Sequence, residues 1–475
     1  MNLHAMLGRR AEDGRPVRVG LIGAGKFGTM YLSQAARTPG IHVMAIADLD
    51  PARARTACTR VGGLDPTAAT FDAALSRGNT HLTDDSMALV AAGGLDVVID
   101  ATGSPAAGIA HALAACEHGK HIVMVNVEAD VLAGPLLAER ARQAGIVYSL
   151  AYGDQPALIH EQVDWARACG LDVIAAGKGT KYLDGYHYVT PDEVWEHYGL
   201  TPEQAAAGGM NPQMFNAFLD GTKSAIEMAA VANATGLTPA PDGLAFPACG
   251  VQDLPHVMRP RTEGGQLHHK GQVEVISSEE RDGRHVTGDL RWGVYVVFEA
   301  PSEYVRACFD EYGLVTDISG NYAAQWKPYH LIGLELGISV GSAALRNEPT
   351  GSPTGFRGDA VATAKRDLKP GDALDGEGGF TVYGKLMPAA PPAGCPSGWH
   401  TGSHSSTRWP RTNRSAGPTW TSMPTFRPCR CAVRWRPCSP IRPPKFHKRP
   451  RNNAPPGCAG RQAGLGNRRH ARRNP

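Results

Sequence analysis

Three lysines in this chain stand where a proton can be moved or an anion held. Residues 171–176 read as a strand, and Gly177-Lys178-Gly179-Thr180-Lys181 follows as a glycine-rich turn. Two ammonium groups on such a turn suit a substrate anion or a developing alkoxide; a solvated basic turn has the same composition. Lys223 falls on a helix expected over 211–235, with Asp220 three residues before it and Glu227 four after, on one face. Phe215, Phe218, Ile226, Met228 and Val231 surround that stripe. A lysine in a cleft wall can have its pKa lowered and serve as general acid or base; an ordinary exposed stripe reads the same way. The expected catalytic set is Lys178, Lys181, Asp220 and Lys223, with Asp220 holding the working lysine in place.

Other arrangements carry less chemistry. His118-Gly119-Lys120-His121 has metal-ligand spacing but spans a helix-to-strand turn without a second pair. Gly337-Ile338-Ser339-Val340-Gly341 spells a nucleophile-elbow motif, yet no histidine follows His330 in the body of the chain. It reads as a small-residue packing face. His187 and His330 read as structural histidines, and His268, His269 and the charged run 279–284 as a hairpin rim.

The elements that must position these groups begin with Val17 to Ile22, a short buried strand. Gly23-Ala24-Gly25-Lys26-Phe27-Gly28 comes next, and then a helix. Strand, G-x-G-x-x-G and helix in that order form the dinucleotide fingerprint. The first glycine permits the turn, the second lets backbone approach a pyrophosphate, and the third lets helix and strand pack. A second strand ends at Asp48, where a carboxylate binds the adenine ribose and disfavours a 2′-phosphate. Arg53 and Arg55 offer the opposite preference, or are solvated faces of a helix over 51–58. Strands and helices then alternate: 95–100, 105–118, 121–125 and 131–144. This predicts a doubly wound parallel sheet. Thr102 and Gly103 follow one strand, and Asn126 and Glu128 the next, at the strand ends where ligands bind in such sheets. The expected cofactor-binding residues are Gly23, Gly25, Lys26, Phe27, Gly28, Asp48, Thr102, Gly103, Asn126 and Glu128, and the cofactor NAD or NADP.

Composition splits the chain sharply. No Asp or Glu occurs after Glu377, and residues 391–475 hold 17 of the 48 Lys and Arg with 15 Pro, 5 Cys and 4 Trp. The preceding 390 residues therefore carry 31 basic against 45 acidic residues, an acidic body behind the overall +3. The tail has neither a helical nor a strand period, and its prolines oppose regular structure. It is expected to be a disordered basic tail. A GC-rich gene read out of frame gives that composition; a genuine nucleic-acid-binding tail is the rival reading. The body has no apolar leader and no apolar run of spanning length. Cytoplasmic localisation, no membrane partner and reduced cysteines are expected. The anticipated division is a Rossmann domain over 1–150, a second α+β substrate and dimerisation domain over 151–350, a partial module over 351–390 and the tail over 391–475.

The glycine fingerprint, Asn126-Val127-Glu128 and Gly153-Asp154-Gln155-Pro156 resemble the homoserine-dehydrogenase-like oxidoreductases, with Gly177–Lys181 and Asp220–Lys223 fitting more loosely. The runs Lys327 to Glu335, Ala343 to Gly351, Ala364 to Asp372 and Tyr383 to Lys385 resemble a bacterial subset with a C-terminal SAF-type module, here truncated near Met387. That subset includes 1-deoxy-D-xylulose-5-phosphate reductoisomerase-like enzymes that use NADPH. The resemblance implies an NAD(P)-dependent oxidoreductase moving hydride between nicotinamide and a carbonyl or hydroxyl of a small polar, anionic substrate, and a homodimer. Its reductoisomerase option needs a divalent metal, for which Asp154 and Glu227 are the only candidates; metal ligands are otherwise unassigned. A non-catalytic NAD(P)-binding sensor is the alternative of another class, and nucleic acid is not an expected partner of the body.

Overall fold

Six short strands, most of them apolar and buried, form a parallel sheet covered on both faces, the usual setting of parallel strands. The computed structural model describes residues 2–369 and 372–389; the expectations for the tail, 391–475, lie outside the described residues. The strands are β1 Val17–Ile22, β2 Ile41–Ala47, β3 His81–Thr83, β4 Val97–Asp100, β5 His121–Met124 and β6 Tyr148–Leu150. Their order is β3-β2-β1-β4-β5-β6, all parallel. Leu21 of β1 lies between Ile46 and Ile99. The order reverses between β1 and β4, which opens a crevice at their carboxyl ends.

Helices cover both faces. Helices Pro105–Glu117 and Val127–Ala144 bury Ala112, Ala115 and Leu137 on one side, with Leu89 and Val90 of Ser86–Ala91. Helices Lys26–Ala35 and Pro51–Val61 bury Tyr31, Leu32 and Ala54 on the other. Helix Gly337–Arg346 joins that second layer: Leu336 and Val340 lie in its core, and Gly341 faces Leu3 and Leu7 of helix Leu3–Glu12. The sequence had put this helix in the second unit. It packs instead on the first sheet, and strands Gly358–Ala364 and Val382–Pro388 return to the second half, so the chain crosses between the halves three times.

The second sheet has the order β10-β9-β7-β8, from β7 Asp172–Thr180, β8 Gln272–Ser277, β9 Val294–Glu299 and β10 Tyr322–Lys327. β7 and β8 are parallel; the other pairs are antiparallel. Here the expected turn at Gly177–Lys181 is corrected, because β7 runs straight through to Thr180. Gly177 and Gly179 serve close packing: a Cβ at Gly177 would collide with Glu274 O, and one at Gly179 with Leu290 O. Helices Gln155–Ala168 and Thr222–Thr235 cover one face through Ile159, Val163, Ile226 and Val231.

The single helix expected over 211–235 is two, Pro212–Leu219 and Thr222–Thr235. Gly221 breaks it with φ +85°, a conformation that favours glycine, and the Asp220 carboxylate accepts the Thr222 N–H at 2.9 Å. The residues assigned to a SAF-type opening form one antiparallel pair, β11 Gly358–Ala364 and β12 Val382–Pro388. The pair lies on helix Thr222–Thr235: Gly384 N–H donates to Thr222 Oγ1 at 2.7 Å, and Arg357 N–H to Asn233 Oδ1 at 2.6 Å. Among the described residues no helix is long and apolar enough to cross a membrane.

Candidate active site

The glycine turn is shaped for a ligand phosphate. Gly23 takes φ +98°, and a Cβ there would sit 2.6 Å from Ala101 O. A Cβ at Gly28 would collide with Gly23 O, so helix Lys26–Ala35 packs onto the turn only through a glycine. Gly25, the residue that opens this helix, has nothing within 4 Å of its Cβ position. That open space at a helix N-terminus is where phosphate oxygens meet backbone N–H groups. The residues fit a dinucleotide.

Asp48 follows β2 directly, beside the turn. Its Oδ2 accepts Ala24 N–H at 2.8 Å and its Oδ1 accepts Asp50 N–H at 2.9 Å. Each oxygen keeps a lone pair for a ribose hydroxyl. Arg53 Nε lies 3.7 Å from Asp48, whereas Arg55 reaches away to Pro66 O. Lys26 is exposed, and Phe27 packs against the core of the first sheet.

Thr102 and Gly103 are set by buried Asp100. Its Oδ1 accepts both the N–H and the hydroxyl of Thr102, at 3.0 and 2.8 Å. His111 Nδ1 lies 2.6 Å from its other oxygen, and His111 Nε2 lies 2.8 Å from Ser86 Oγ. Asn126 Nδ2 donates to Ser104 O at 2.8 Å, and its Oδ1 caps helix Val127–Ala144 at Ala129 N–H. The cap aims Glu128, on the first turn, across the cleft.

Glu128 meets Lys223 there in an ion pair, and Glu377 stands 3.8 Å from the same ammonium. Burial works against the Lys223 charge, but Glu128, Glu377 and Glu227 outweigh it and raise its pKa. Lys223 is therefore held as an ammonium, and its pKa is raised where the sequence reading expects it lowered. Alongside it, buried Lys178 is ion-paired with buried Glu227. Asp154 caps helix Gln155–Ala168; burial and the charge of Glu227 push its carboxyl up to about 7. His330 donates from Nδ1 to Trp292 O at 2.8 Å, and burial lowers its pKa, which leaves the neutral ring beside Lys178 and Glu227.

The structure brings together Glu128, Asp154, Lys178, Lys223 and Glu227, and separates two of the sequence candidates from them. Lys181 lies three residues beyond Lys178, just past the end of β7 at Thr180, and takes other partners. It binds His197 O at 2.5 Å and Glu279 at 3.3 Å. Asp220 does not hold any of the three lysines: it is fully buried and pairs with Lys365 at 2.8 Å. Glu377 and Lys365 went unseen in the sequence. The only local signal for Glu377 is its place among Gly376, Gly378 and Gly379. Glu227 is engaged by Lys178, and among the described residues no group of three or more His, Cys, Asp or Glu side chains could hold a metal ion. Ser339 of the elbow-like motif is buried and tied to Tyr152 N–H and Thr350 Oγ1, a packing role. His121 accepts Val147 N–H.

Residues 19–149 match the family described as homoserine dehydrogenase, NAD binding domain, and residues 153–336 match oxidoreductase DRL, catalytic domain. No curated protein matches the chain in sequence. Solved structures similar to it include an oxidoreductase from Agrobacterium radiobacter in complex with NAD+, L-tartaric acid and magnesium (19% identity, 35% of this chain and 44% of that one, TM-score 0.26). A second is 1-deoxy-D-xylulose 5-phosphate reductoisomerase from Zymomonas mobilis with NADPH (19%, 46% and 57%, 0.31). A third is scyllo-inositol dehydrogenase from Lactobacillus casei with NAD(H) and scyllo-inositol (14%, 60% and 73%, 0.31). The chain spans about half the length of the first two.

Proposed function

We propose that this chain, an NAD(P)-binding oxidoreductase pairing a homoserine-dehydrogenase-type NAD-binding domain with a DRL-type catalytic domain, reduces or forms a carbonyl on a small hydroxylated substrate. The observation that carries the reading is the Lys223–Glu128 pair. It joins the helix that begins at the carboxyl end of β5 to the helix on the second sheet, so the proton donor stands at the mouth of the cofactor crevice. The nicotinamide, when bound, supplies or takes the hydride. Lys223 gives a proton to the substrate oxygen in reduction. Lys178 and neutral His330 hold neighbouring oxygens. Two ammonium groups face four carboxyls, Glu128, Asp154, Glu227 and Glu377, which favours a hydroxyl-rich substrate over a multiply charged one. Asp48 supports NAD over NADP, since Arg55 turns away from the ribose end and Arg53 leans on Asp48 itself. The five free cysteines of the described residues fit a reducing compartment, the cytoplasm.

The test is titration of the full chain with NADH and NADPH by fluorescence, then NADH-dependent reduction of a panel of hydroxylated aldehydes and ketones. Lys223→Met should abolish turnover and leave NADH affinity unchanged. A folded protein that binds neither nucleotide, or a Lys223→Met variant with undiminished turnover, would sink the reading.

A further inference from the structure

The strand pair β11–β12 lies beyond both matched domains, which end at residue 336, yet the loop between its strands carries Glu377 to Lys223. That loop is gripped at three consecutive carbonyls. Gln213 Nε2 donates to Glu377 O at 3.0 Å, Asn216 Nδ2 to Gly378 O at 3.0 Å, and Lys365 Nζ to Gly379 O at 2.8 Å. Asn216 and Lys365 are buried, and Lys365 is itself anchored by Asp220. Gly378 takes φ +65°, and its Cβ position falls 2.6 Å from Ala217 N, so the loop presses directly on helix Pro212–Leu219. A segment fixed this firmly presents the Glu377 carboxyl at a defined place.

The two carboxyls on Lys223 have been set apart. Burial raises Glu128, but the Lys223 charge and hydrogen bonds prevail and hold it below the ordinary carboxylate range. For Glu377 burial prevails over the pull of Lys223, and the charges of Glu128, Asp220 and Glu227 add to it, so its carboxyl sits at about 7. Its side chain keeps 30% of its surface open, more than Lys223 or Glu128, and so has a route to solvent. Groups whose environments push their pKa values apart mark distinct acid–base roles.

We propose that Glu377 is the positioning and proton-relay partner of Lys223, and that the strand pair β11–β12 completes the site. The inference rests on the reading of Lys223 as the proton donor. In the reducing direction an N–H bond of the Lys223 ammonium breaks, its electron pair stays on nitrogen, and the proton goes to the substrate oxygen as hydride reaches carbon. The Glu377 carboxylic acid then gives its proton to the neutral amine, and solvent reprotonates the carboxylate. In the oxidising direction each transfer reverses. Glu128 stays anionic throughout and keeps Lys223 in place.

The experiment uses the full chain labelled with carboxyl-13C glutamate, its side-chain resonances followed from about pH 4 to about pH 9. One resonance titrating near neutrality should vanish in Glu377→Gln. In Lys223→Met its midpoint should move up by about one unit or more, the effect of losing an opposite charge at this range. Buried Glu274, also near 7, should not move and serves as the internal control. A Glu377 midpoint in the ordinary carboxylate range, or one that Lys223→Met leaves unmoved, overturns the inference. NADH binding by the same samples separates the two ideas. Coupling without cofactor binding defeats the oxidoreductase reading, whereas cofactor binding without coupling defeats the relay alone.

Discussion

Gly25→Ala separates what the glycine turn does for folding from what it does for binding. Gly25 has φ −71°, which alanine adopts without strain, and its Cβ position has no neighbour within 4 Å. At the start of a helix, alanine in place of glycine costs no more than about 1 kcal/mol. The added methyl instead fills the space through which a pyrophosphate reaches the N–H groups of the helix start. Losing two hydrogen bonds to a charged group, at about 1.5 kcal/mol each, weakens binding by about 100-fold. The assay is NADH fluorescence titration alongside thermal melting. Gly28→Ala should behave oppositely: its methyl collides with the Gly23 carbonyl, a backbone atom, and costs about 1–3 kcal/mol of stability before any ligand is added. A well-folded Gly25→Ala protein with wild-type NADH affinity would refute the assignment of this turn to the phosphates.

Two further outcomes follow from buried charge. Lys365→Met leaves buried Asp220 without its partner and removes the donor to Val189 O and Gly379 O, so urea unfolding should show a loss of about 3–5 kcal/mol. The double variant Lys365→Met/Asp220→Asn should be less damaged than the sum of the singles by about 1–3 kcal/mol, and strict additivity would contradict the pairing. Glu274 is held at about 7 by burial, against four hydrogen bonds to its carboxylate. The folded chain therefore binds a proton that the unfolded chain releases near 4.5. This stabilisation is full below pH 4.5 and is lost as pH rises through 7, on the order of 3 kcal/mol in all. Melting temperatures at pH 5 and pH 8 should differ less in Glu274→Gln than in the parent, and equal differences would count against it.

Strands β1, β2, β4 and β5 of the first sheet were legible because they are largely buried and read as apolar runs, and because the glycine fingerprint stands between a strand and a helix; the three-residue β3 and β6 were not. Helix starts were less plain: the helix expected over 131–144 begins at Val127, where the Asn126 side chain caps the turn that carries Glu128. The second half was less legible, for reasons local pattern does not hold. Gly177 and Gly179 look like a turn, and only the carbonyls of Glu274 and Leu290, brought in from far along the chain, show why a strand needs glycine there. Apolar residues run on past Asp220 in helical fashion, so the break at Gly221 depends on the dipeptide alone. Spacing then put Asp220 beside Lys223, whereas the fold gave Asp220 to Lys365 and gave Lys223 to Glu128 and Glu377. These partners share no segment with one another, and pairing across such separations leaves no mark in a local window.

Helix Gly337–Arg346 has a consequence for how the chain is made. It supplies Leu336 and Val340 to the core beneath β1, although the last strand of that sheet ends at Leu150. The cofactor half is thus not a continuous piece of polypeptide. At roughly 5–20 residues per second, the ribosome needs about 10–40 s after Leu150 to deliver the helix that closes the layer. During that interval part of an apolar sheet face waits uncovered beside helices Lys26–Ala35 and Pro51–Val61, and the second sheet is being synthesised alongside it. The nucleotide crevice is therefore among the last parts to mature, though its glycines are among the first residues to emerge.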